Sequence, residues 1–238
     1  MVTQVRIGDI SADVVLKDIK NVHLSVHPPS GRVRILAPLR MDLAAIRLFA
    51  ISKLGWIKEQ QSKFHGQERE TAREYLDRES HYVWGKRYLL QVTESFLVAR
   101  VELKHRKMLL RIPAEAGEDK RKAVIDQWYR RELKTAVRAL IAKWEPLLGV
   151  KVERFFVQKM KTKWGSCNPT SNSIRLNTEL AKKPPECLEY IVVHEMVHLI
   201  VRHHDEHFLA LMDRYLPSWK HIRQMLNAAP LAHANWDY

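Results

Sequence analysis

The sequence predicts an α+β protein, because strand-like segments fill most of the first half of its 238 residues and helical segments fill the last third. Apolar residues make up 46% of the chain and charged residues 28%, so a disordered or fibrous protein is not expected. No apolar run reaches the roughly 18 residues of a membrane-spanning helix, and no membrane partner is predicted. No internal repeat is visible in the sequence.

The first 80 residues are expected to form a β-rich region with one helix. Three segments are rich in β-forming residues: 14–16, 22–26 and 33–36. Asp42 is the expected helix N-cap, because apolar residues recur at helical spacing from Leu43 to about residue 64. The polar stretch 65–80 is expected to be a linker or a continuation of that helix, which places the domain boundary between residues 80 and 81.

Residues 81–238 are expected to form the second domain. Further strands are predicted at 82–92, 97–103, 108–112, 152–157 and 174–177. A long amphipathic helix is predicted from Glu118 to about Trp144, with Pro146 and Gly149 ending it. The last third is helical: a helix opens at Pro184 and Pro185 and runs to about residue 201, and two shorter helices follow it.

The composition also gives information about the cellular compartment and the binding partners of the protein. Cys167 and Cys187 cannot form a disulfide framework, and the N-terminus lacks the layout of a signal peptide, so a cytoplasmic protein is predicted. The net charge of +13 is uneven, since residues 100–163 hold eighteen Lys and Arg against eight Asp and Glu. This segment is compatible with a nucleic acid or nucleotide partner, but a solvated helix face is the preferred interpretation.

The segment from His194 to His198 reads His-Glu-Met-Val-His inside a predicted helix. Residues four apart lie one above the other on a helix face, so both imidazoles can reach one metal ion. Zinc is the expected metal, because it binds neutral imidazole in tetrahedral geometry and leaves a position for water. Glu195 is the expected general base, which activates the zinc-bound water. The alternative is a pair of core histidines that only form hydrogen bonds.

A third metal ligand is expected from the histidine-rich segment that follows this helix. His204 lies ten residues after His194, the spacing of the third histidine in metzincin-type sites. Those sites carry a glycine three residues before that histidine, where this chain has Val201, so a true metzincin is not predicted. The other candidate ligands are His203, His207, Asp205 and Glu206.

Several motifs, in order along the chain, resemble one known family. They are Lys163-Trp-Gly-Ser-Cys167, Ile174-Arg-Leu-Asn177, residues 190–199 around the two histidines, and then His204 and Phe208. Together with residues 84–88 and 216–219, they resemble the YgjP-like metallopeptidases, which are relatives of the SprT-like and WLM proteins. The resemblance extends over essentially the whole chain.

This resemblance implies a zincin-like, minigluzincin-type catalytic core behind a β-rich N-terminal region, with the HExxH motif on a buried helix. It implies that His194, His198 and His204 are zinc ligands and that Glu195 is the catalytic glutamate. Trp164, Gly165 and Ser166 are candidate cleft or substrate residues, because an exposed strand edge beside a metal can pair with an extended peptide. His203 and His207 are further candidates for substrate contact.

Three functions are compatible with these observations, and a zinc-dependent metallopeptidase acting on a peptide or protein is preferred. A metal-dependent UTP pyrophosphatase is the first alternative, suggested by relatives and by the basic surface. The chain has only 8 glycines and no phosphate-binding glycine loop, which argues against it. A DNA-associated SprT-like protease or binding module is the second alternative, suggested by segment 100–163.

Overall fold

The structure is a computed structural model, and it describes residues 2–27, 31–66, 73–96, 98–160 and 163–228. The fold is mixed α+β, as the sequence predicts. The described residues fall into two compact units, the first within Met1–Glu70 and the second within Thr71–Ala229. Among the helices that the structure describes, none has the length and apolar character needed to span a bilayer.

The first unit consists of a four-stranded sheet and two helices. Its elements are β1 (Val2–Ile7), β2 (Ile10–Lys17), β3 (His23–His27), β4 (Arg32–Pro38), α1 (Leu43–Ser52) and α2 (Leu54–Gly66). The strand order is β1-β2-β4-β3, so two antiparallel hairpins meet through the parallel pair of β2 and β4. Apolar side chains from one face of this sheet form a core with Ile46, Ala50 and Ile57 of the helices.

Two features of the first unit differ from the prediction or were not foreseen. The single helix expected from Asp42 to residue 64 is two helices, because the N–H of Lys53 bonds back to Ala50 and Ile51 and closes α1. Asp42 is its N-cap, as predicted, and accepts a hydrogen bond from the N–H of Ala45 at 2.7 Å. Asp13 is buried on β2, where it pairs with Arg32.

The second unit begins with another four-stranded sheet: β5 (Ser80–Val83), β6 (Lys86–Glu94), β7 (Arg100–Lys104) and β8 (Lys107–Ile112). The strand order is β5-β6-β8-β7, again with two hairpins joined through a parallel inner pair. The strand expected at 82–92 is two strands, since Trp84 and Gly85 form a turn with positive φ at both residues. Part of the strand expected at 97–103 lies outside the described residues.

The turn between β5 and β6 contacts a distant part of the second unit. The N–H of Trp84 donates to the carbonyl of Ala181 at 2.9 Å, and that of Gly85 donates to Lys182 at 3.2 Å. A side chain at Gly85 would place its Cβ 2.9 Å from Cγ of Pro184, so close approach as well as positive φ requires glycine here. The turn therefore contacts the segment that leads into the helix beginning at Pro185.

A long helix, α3 (Glu118–Leu148), packs against this sheet with eight buried residues. They are Ile125, Trp128, Tyr129, Leu133, Val137, Ile141, Trp144 and Leu148. The expectation that Pro146 ends the helix is wrong, because the helix continues for two residues beyond it. A proline in the last turn removes one hydrogen bond, while the burial of Leu148 favours continuation. Gly149, in the left-handed conformation, is the C-cap.

The rest of the second unit is a small sheet followed by three helices. The strands are β9 (Arg154–Gln158), β10 (Gly165–Asn168) and β11 (Ser173–Asn177), in the order β10-β11-β9. The helices are α4 (Pro185–Val197), α5 (Glu206–Tyr215) and α6 (Trp219–Ala228), and short 3-10 turns precede β11 and α4. β10 was not among the predicted strands, although Trp164 to Ser166 were candidates for an exposed strand edge. Among the described strands β10 lies at an edge of this sheet, since the strand order places β11 on one side of it.

Candidate metal and catalytic site

α4 carries the first four residues of the HExxH motif, from His194 to Val197, in its last turn. Pro184 is the N-cap and Pro185 the first helical residue, where a missing N–H costs no hydrogen bond. Nine residues of this helix are buried, so it runs through the core. It ends at Val197, four residues earlier than expected, and His198 is its C-cap.

Three imidazoles converge beyond the end of α4. The Nε2 atom of His204 lies 3.1 Å from Nε2 of His194 and 3.0 Å from Nε2 of His198. Among the histidines, cysteines and carboxylates of the described residues, His194, His198 and His204 are the group whose ligand atoms lie close enough to share one metal ion. His194 and His198 are partly buried and His204 is exposed, which leaves one side of the cluster open to solvent.

The hydrogen bonds and electrostatics keep the ring nitrogens of this cluster available. Nδ1 of His198 lies 3.0 Å from the carbonyl oxygen of Val201, which can only accept, so Nδ1 carries the proton and Nε2 presents a lone pair. Burial, followed by the neighbouring His198 and His204, lowers the pKa of His194 to about 3. Burial also lowers the pKa of His204. These two rings are therefore neutral at physiological pH.

The arrangement fits a tetrahedral metal ion. A zinc ion bound by nitrogens at about 2.0–2.1 Å places two such ligands roughly 3.3 Å apart, close to the observed Nε2 separations. Three imidazole nitrogen donors with one open side also match the ligand number of catalytic zinc sites.

An aromatic ring supports all three imidazoles from one side. The ring centroid of Phe208 lies 5.0 Å from that of His194 and 4.7 Å from those of His198 and His204. Phe208 is fully buried near the start of α5, and the carboxylate of Asp205 caps that helix by accepting from the N–H of Phe208 at 3.0 Å. Asp205 therefore acts as the helix cap in this structure.

Glu195 lies inside the protein, beside the histidines. Its side chain is buried, with 5% of the residue exposed. Burial raises the pKa of Glu195 to about 8, although the charge of Lys163 opposes the shift. A carboxylate with a pKa near neutrality can accept a proton in one step and release it in another at physiological pH.

Gly165, at the start of β10, forms the wall against which Glu195 packs. A Cβ added at Gly165 would lie 2.5 Å from Oε1, 2.8 Å from Cγ and 2.9 Å from Cδ of Glu195. Its φ lies outside the left-handed region, so glycine is required here for space and not for backbone freedom. Any side chain at this position would displace the buried carboxylate.

A buried asparagine, which sequence reasoning did not single out as a site residue, holds the chain that enters β10. Nδ2 of Asn177 donates to the carbonyls of Met160 and Lys163, both at 2.9 Å. The N–H of Asn177 donates to the carbonyl of Trp164 at 2.9 Å. The sequence signal that could have identified Asn177 is a polar residue at the end of an apolar strand, because a buried amide needs several hydrogen-bond partners.

The remaining candidate residues lie around the cluster or away from it. Trp164 is half-buried, with Nζ of Lys183 6.0 Å from its ring centroid, and Ser166 is half-buried on β10. His203 and His207 are exposed, and neither belongs to the three-histidine cluster. Burial and the charge of Glu195 raise the pKa of Cys167 to about 11, so its thiol stays protonated at physiological pH.

The match of a metallopeptidase-domain model to most of the chain shows that the protein is a zinc metallopeptidase. The chain belongs to the YgjP-like family, because the model of the YgjP-like metallopeptidase domain matches residues 20–229. Membership of this family implies a divalent metal, typically zinc. A comparison with curated proteins gives no match.

Two solved structures show a partial likeness to the chain. One is the metallopeptidase zymogen of Pyrococcus abyssi abylysin, 20% identical, which covers 38% of this chain and 90% of its own, with a TM-score of 0.36. The other is the zymogen of Methanocaldococcus jannaschii jannalysin, also 20% identical, covering 38% and 87%, with a TM-score of 0.35.

Proposed function

We propose that His194, His198 and His204 hold a zinc ion and that Glu195 moves the proton in peptide-bond hydrolysis. The observation that carries the proposal is that Nε2 of His204 lies within 3.1 Å of Nε2 of both His194 and His198, next to the buried carboxylate of Glu195 on α4. Zinc bound there would supply a Lewis acid that polarises the peptide carbonyl and lowers the pKa of a water molecule.

Glu195 is proposed to act as both general base and general acid. A carboxylate in this position suits both roles, because it can take the proton of the attacking water and then give it to the leaving amine. Gly165 packs against the side chain, so little entropy is lost in orienting it. The same residue therefore serves both halves of the reaction.

The free edge of β10 is proposed to bind the substrate. Among the described strands β10 pairs with β11 alone, and it packs against α4, which carries Glu195. An extended peptide that adds to this edge would form main-chain hydrogen bonds and run past the three histidines. Trp164, Gly165 and Ser166 would then line the bound peptide, with His203 and His207 at the rim.

The proposed catalytic core is residues 81–238, with a zincin-like, minigluzincin-type arrangement in which the HExxH motif lies on a buried helix. Every residue assigned to the chemistry lies in this range, and residues 1–80 are proposed as an accessory β-rich region. A peptide or protein is the proposed substrate. A cytoplasmic location stays a prediction.

The test is the Glu195→Gln variant, with hydrolysis measured on quenched fluorescent peptides of mixed sequence. We expect activity to fall by about 10²- to 10⁴-fold, because the amide cannot accept the proton. Zinc content by mass spectrometry and the circular dichroism spectrum should stay unchanged. Glu186→Gln is the matched control, since Glu186 is exposed in the first turn of the same helix. Full activity in Glu195→Gln would overturn the mechanism.

A further inference from the structure

The outward face of the second sheet is solvent-exposed and strongly basic. α3 packs on the other face of this sheet, against Val101, Met108 and Leu110. The alternating burial along β6, β7 and β8 places the intervening side chains on the outward face. Five cations lie on this face: Arg87, Arg100, Lys104, Lys107 and Arg111.

Two of the cross-strand pairs on this face join like charges. Lys104 lies directly opposite Lys107, and Arg100 directly opposite Arg111. Like charges in such positions destabilise a sheet unless an anion lies between them. Among the described strand residues of this face, one carries a carboxylate, Glu102. Its carboxylate lies 3.1 Å from the guanidinium of Arg100 and 3.6 Å from that of Arg111. No comparable carboxylate among these residues lies between Lys104 and Lys107.

Apolar and aromatic side chains lie between these cations. Leu89 is 43% exposed and lies opposite Lys107, and Tyr82 is 40% exposed and lies opposite Arg87. Leu109 is half-buried on the neighbouring strand. The face therefore combines a flat platform with a border of positive charge, and the two-residue tip of the β7–β8 hairpin, His105 and Arg106, adds to that border.

We propose that this outward face binds single-stranded nucleic acid. Phosphates would neutralise the Lys104 and Lys107 pair, which lacks the carboxylate that Glu102 supplies to Arg100 and Arg111, and unpaired bases would lie on Tyr82 and the adjacent apolar side chains. An acidic polypeptide could satisfy the cations, but it has no flat group for the exposed platform. A duplex hides its bases, and its grooves admit a helix or a two-stranded ribbon instead of a broad sheet face. The proposal does not depend on the peptidase mechanism.

The experiment measures binding of a fluorescently labelled 20-nucleotide single strand by anisotropy over a series of salt concentrations. The protein carries Glu195→Gln, so that the peptidase reaction plays no part. The test variant adds Lys104→Glu and Lys107→Glu. We expect binding to weaken at least about tenfold at moderate salt, and the slope of log Kd against log salt to fall by roughly 1.4 for the two lost phosphate contacts.

A matched control reverses two charges elsewhere in the same unit. Lys120 and Lys134 are exposed on α3, so Lys120→Glu with Lys134→Glu changes the net charge equally without altering the outward face. We expect this control to bind within a few-fold of the parent. A separate variant, Tyr82→Ala, should weaken binding by roughly tenfold with the salt slope unchanged, because it removes stacking and not charge.

Three results would overturn the proposal. One is equal binding by the parent and by the Lys104→Glu and Lys107→Glu variant. Another is an equal loss in the α3 control, which would mean that only the net charge matters. The third is competition by poly-glutamate or by a duplex of the same length as strong as that by the single strand. Circular dichroism of each variant shows whether the sheet is intact.

Discussion

The two four-stranded sheets have the same topology but different outward faces. In each, two hairpins join through a parallel inner pair, and a helix follows the last strand. On the first sheet a buried carboxylate, Asp13, lies on inner strand β2 and pairs with Arg32, while Gln4 donates to it at 3.3 Å. On the second sheet the matching strand β6 carries Leu89 and Gln91 on this face instead, and the adjacent strand β8 carries Lys107 and Arg111 there.

The comparison shows that the topology shared by the two sheets does not determine where the candidate site residues lie. The histidine cluster and Glu195 lie after α3, in elements that have no counterpart among the described residues of the first unit. Strand pairing depends on backbone hydrogen bonds, so one topology can carry unrelated side chains on its solvent face. The predictions below separate the two units by function and by stability.

The largest expected effect follows the removal of one imidazole from the second unit, measured as zinc content and peptidase activity. In His204→Ala we expect the zinc content to fall from about one per chain to near zero and peptidase activity to fall to background, because two ligands hold the metal poorly. His203→Ala and, in the first unit, His23→Ala should retain metal. Mass spectrometry of the untagged protein gives the metal content. Zinc retained by His204→Ala would move the third ligand to a neighbour such as His203 or Glu206.

Truncation of a core side chain should distinguish the stabilities of the two units. Leu133 is fully buried in α3, and Leu133→Ala should lower the free energy of unfolding of the second unit by about 2–5 kcal/mol. Urea titration followed by peptidase activity measures this effect. Ile46→Ala removes an equally buried side chain from the first unit, and we expect the activity midpoint to stay unchanged. Equal shifts in both variants would show that the units unfold together.

A single methyl group at Gly165 should affect catalysis more than stability. Gly165→Ala pushes against the carboxylate of Glu195, so we expect kcat to fall by roughly 10- to 100-fold with KM and zinc content nearly constant. The control is Gly55→Ala in the first unit, where a Cβ meets no atom within 4 Å. That helical substitution should stabilise the first unit by about 1 kcal/mol and leave kcat unchanged. An unchanged kcat in Gly165→Ala would contradict the positioning role.

The smallest effect concerns the carboxylates on the two outward faces. Asp13→Asn leaves Arg32 without a charged partner and should destabilise the first unit by about 1 kcal/mol, because Asp13 is buried. Glu102→Gln on the second sheet should cost less than about 1 kcal/mol, since this pair is exposed. Thermal unfolding of both variants measures the difference. A larger loss of stability in Glu102→Gln than in Asp13→Asn would contradict the expectation that the buried carboxylate contributes more than the exposed one.

Periodic and short-range signals were sufficient to predict several elements. Apolar spacing predicted the helices, and the spacing of His194 and His198 predicted that their side chains share a face. The sequence could not show the edge strand β10, because Gly165 to Asn168 have weak strand propensity and pair through backbone contacts with β11. Nor could it show that Pro146 lies within α3, since the burial of Leu148 depends on tertiary packing.

The roles of Gly165 and Phe208 are three-dimensional in the same way. Glycine in a sequence indicates a turn or a close approach without naming the partner, which is Glu195 here. Phe208 stands among other apolar residues of an amphipathic helix, and only the fold shows that it contacts all three imidazoles. In both cases the information lies in contacts between segments that are distant along the chain.

The turn at Trp84 and Gly85 has a consequence for biosynthesis. Its partners, Ala181 to Pro184, are about a hundred residues downstream. At roughly 5–20 residues per second, a ribosome delivers them about 5 to 20 seconds after the turn itself. During that time the hairpin lacks the segment that it contacts in the folded protein. The start of α4, the helix that carries His194, is therefore fixed only late in synthesis. A chain released before that point would retain the hairpin but no metal site.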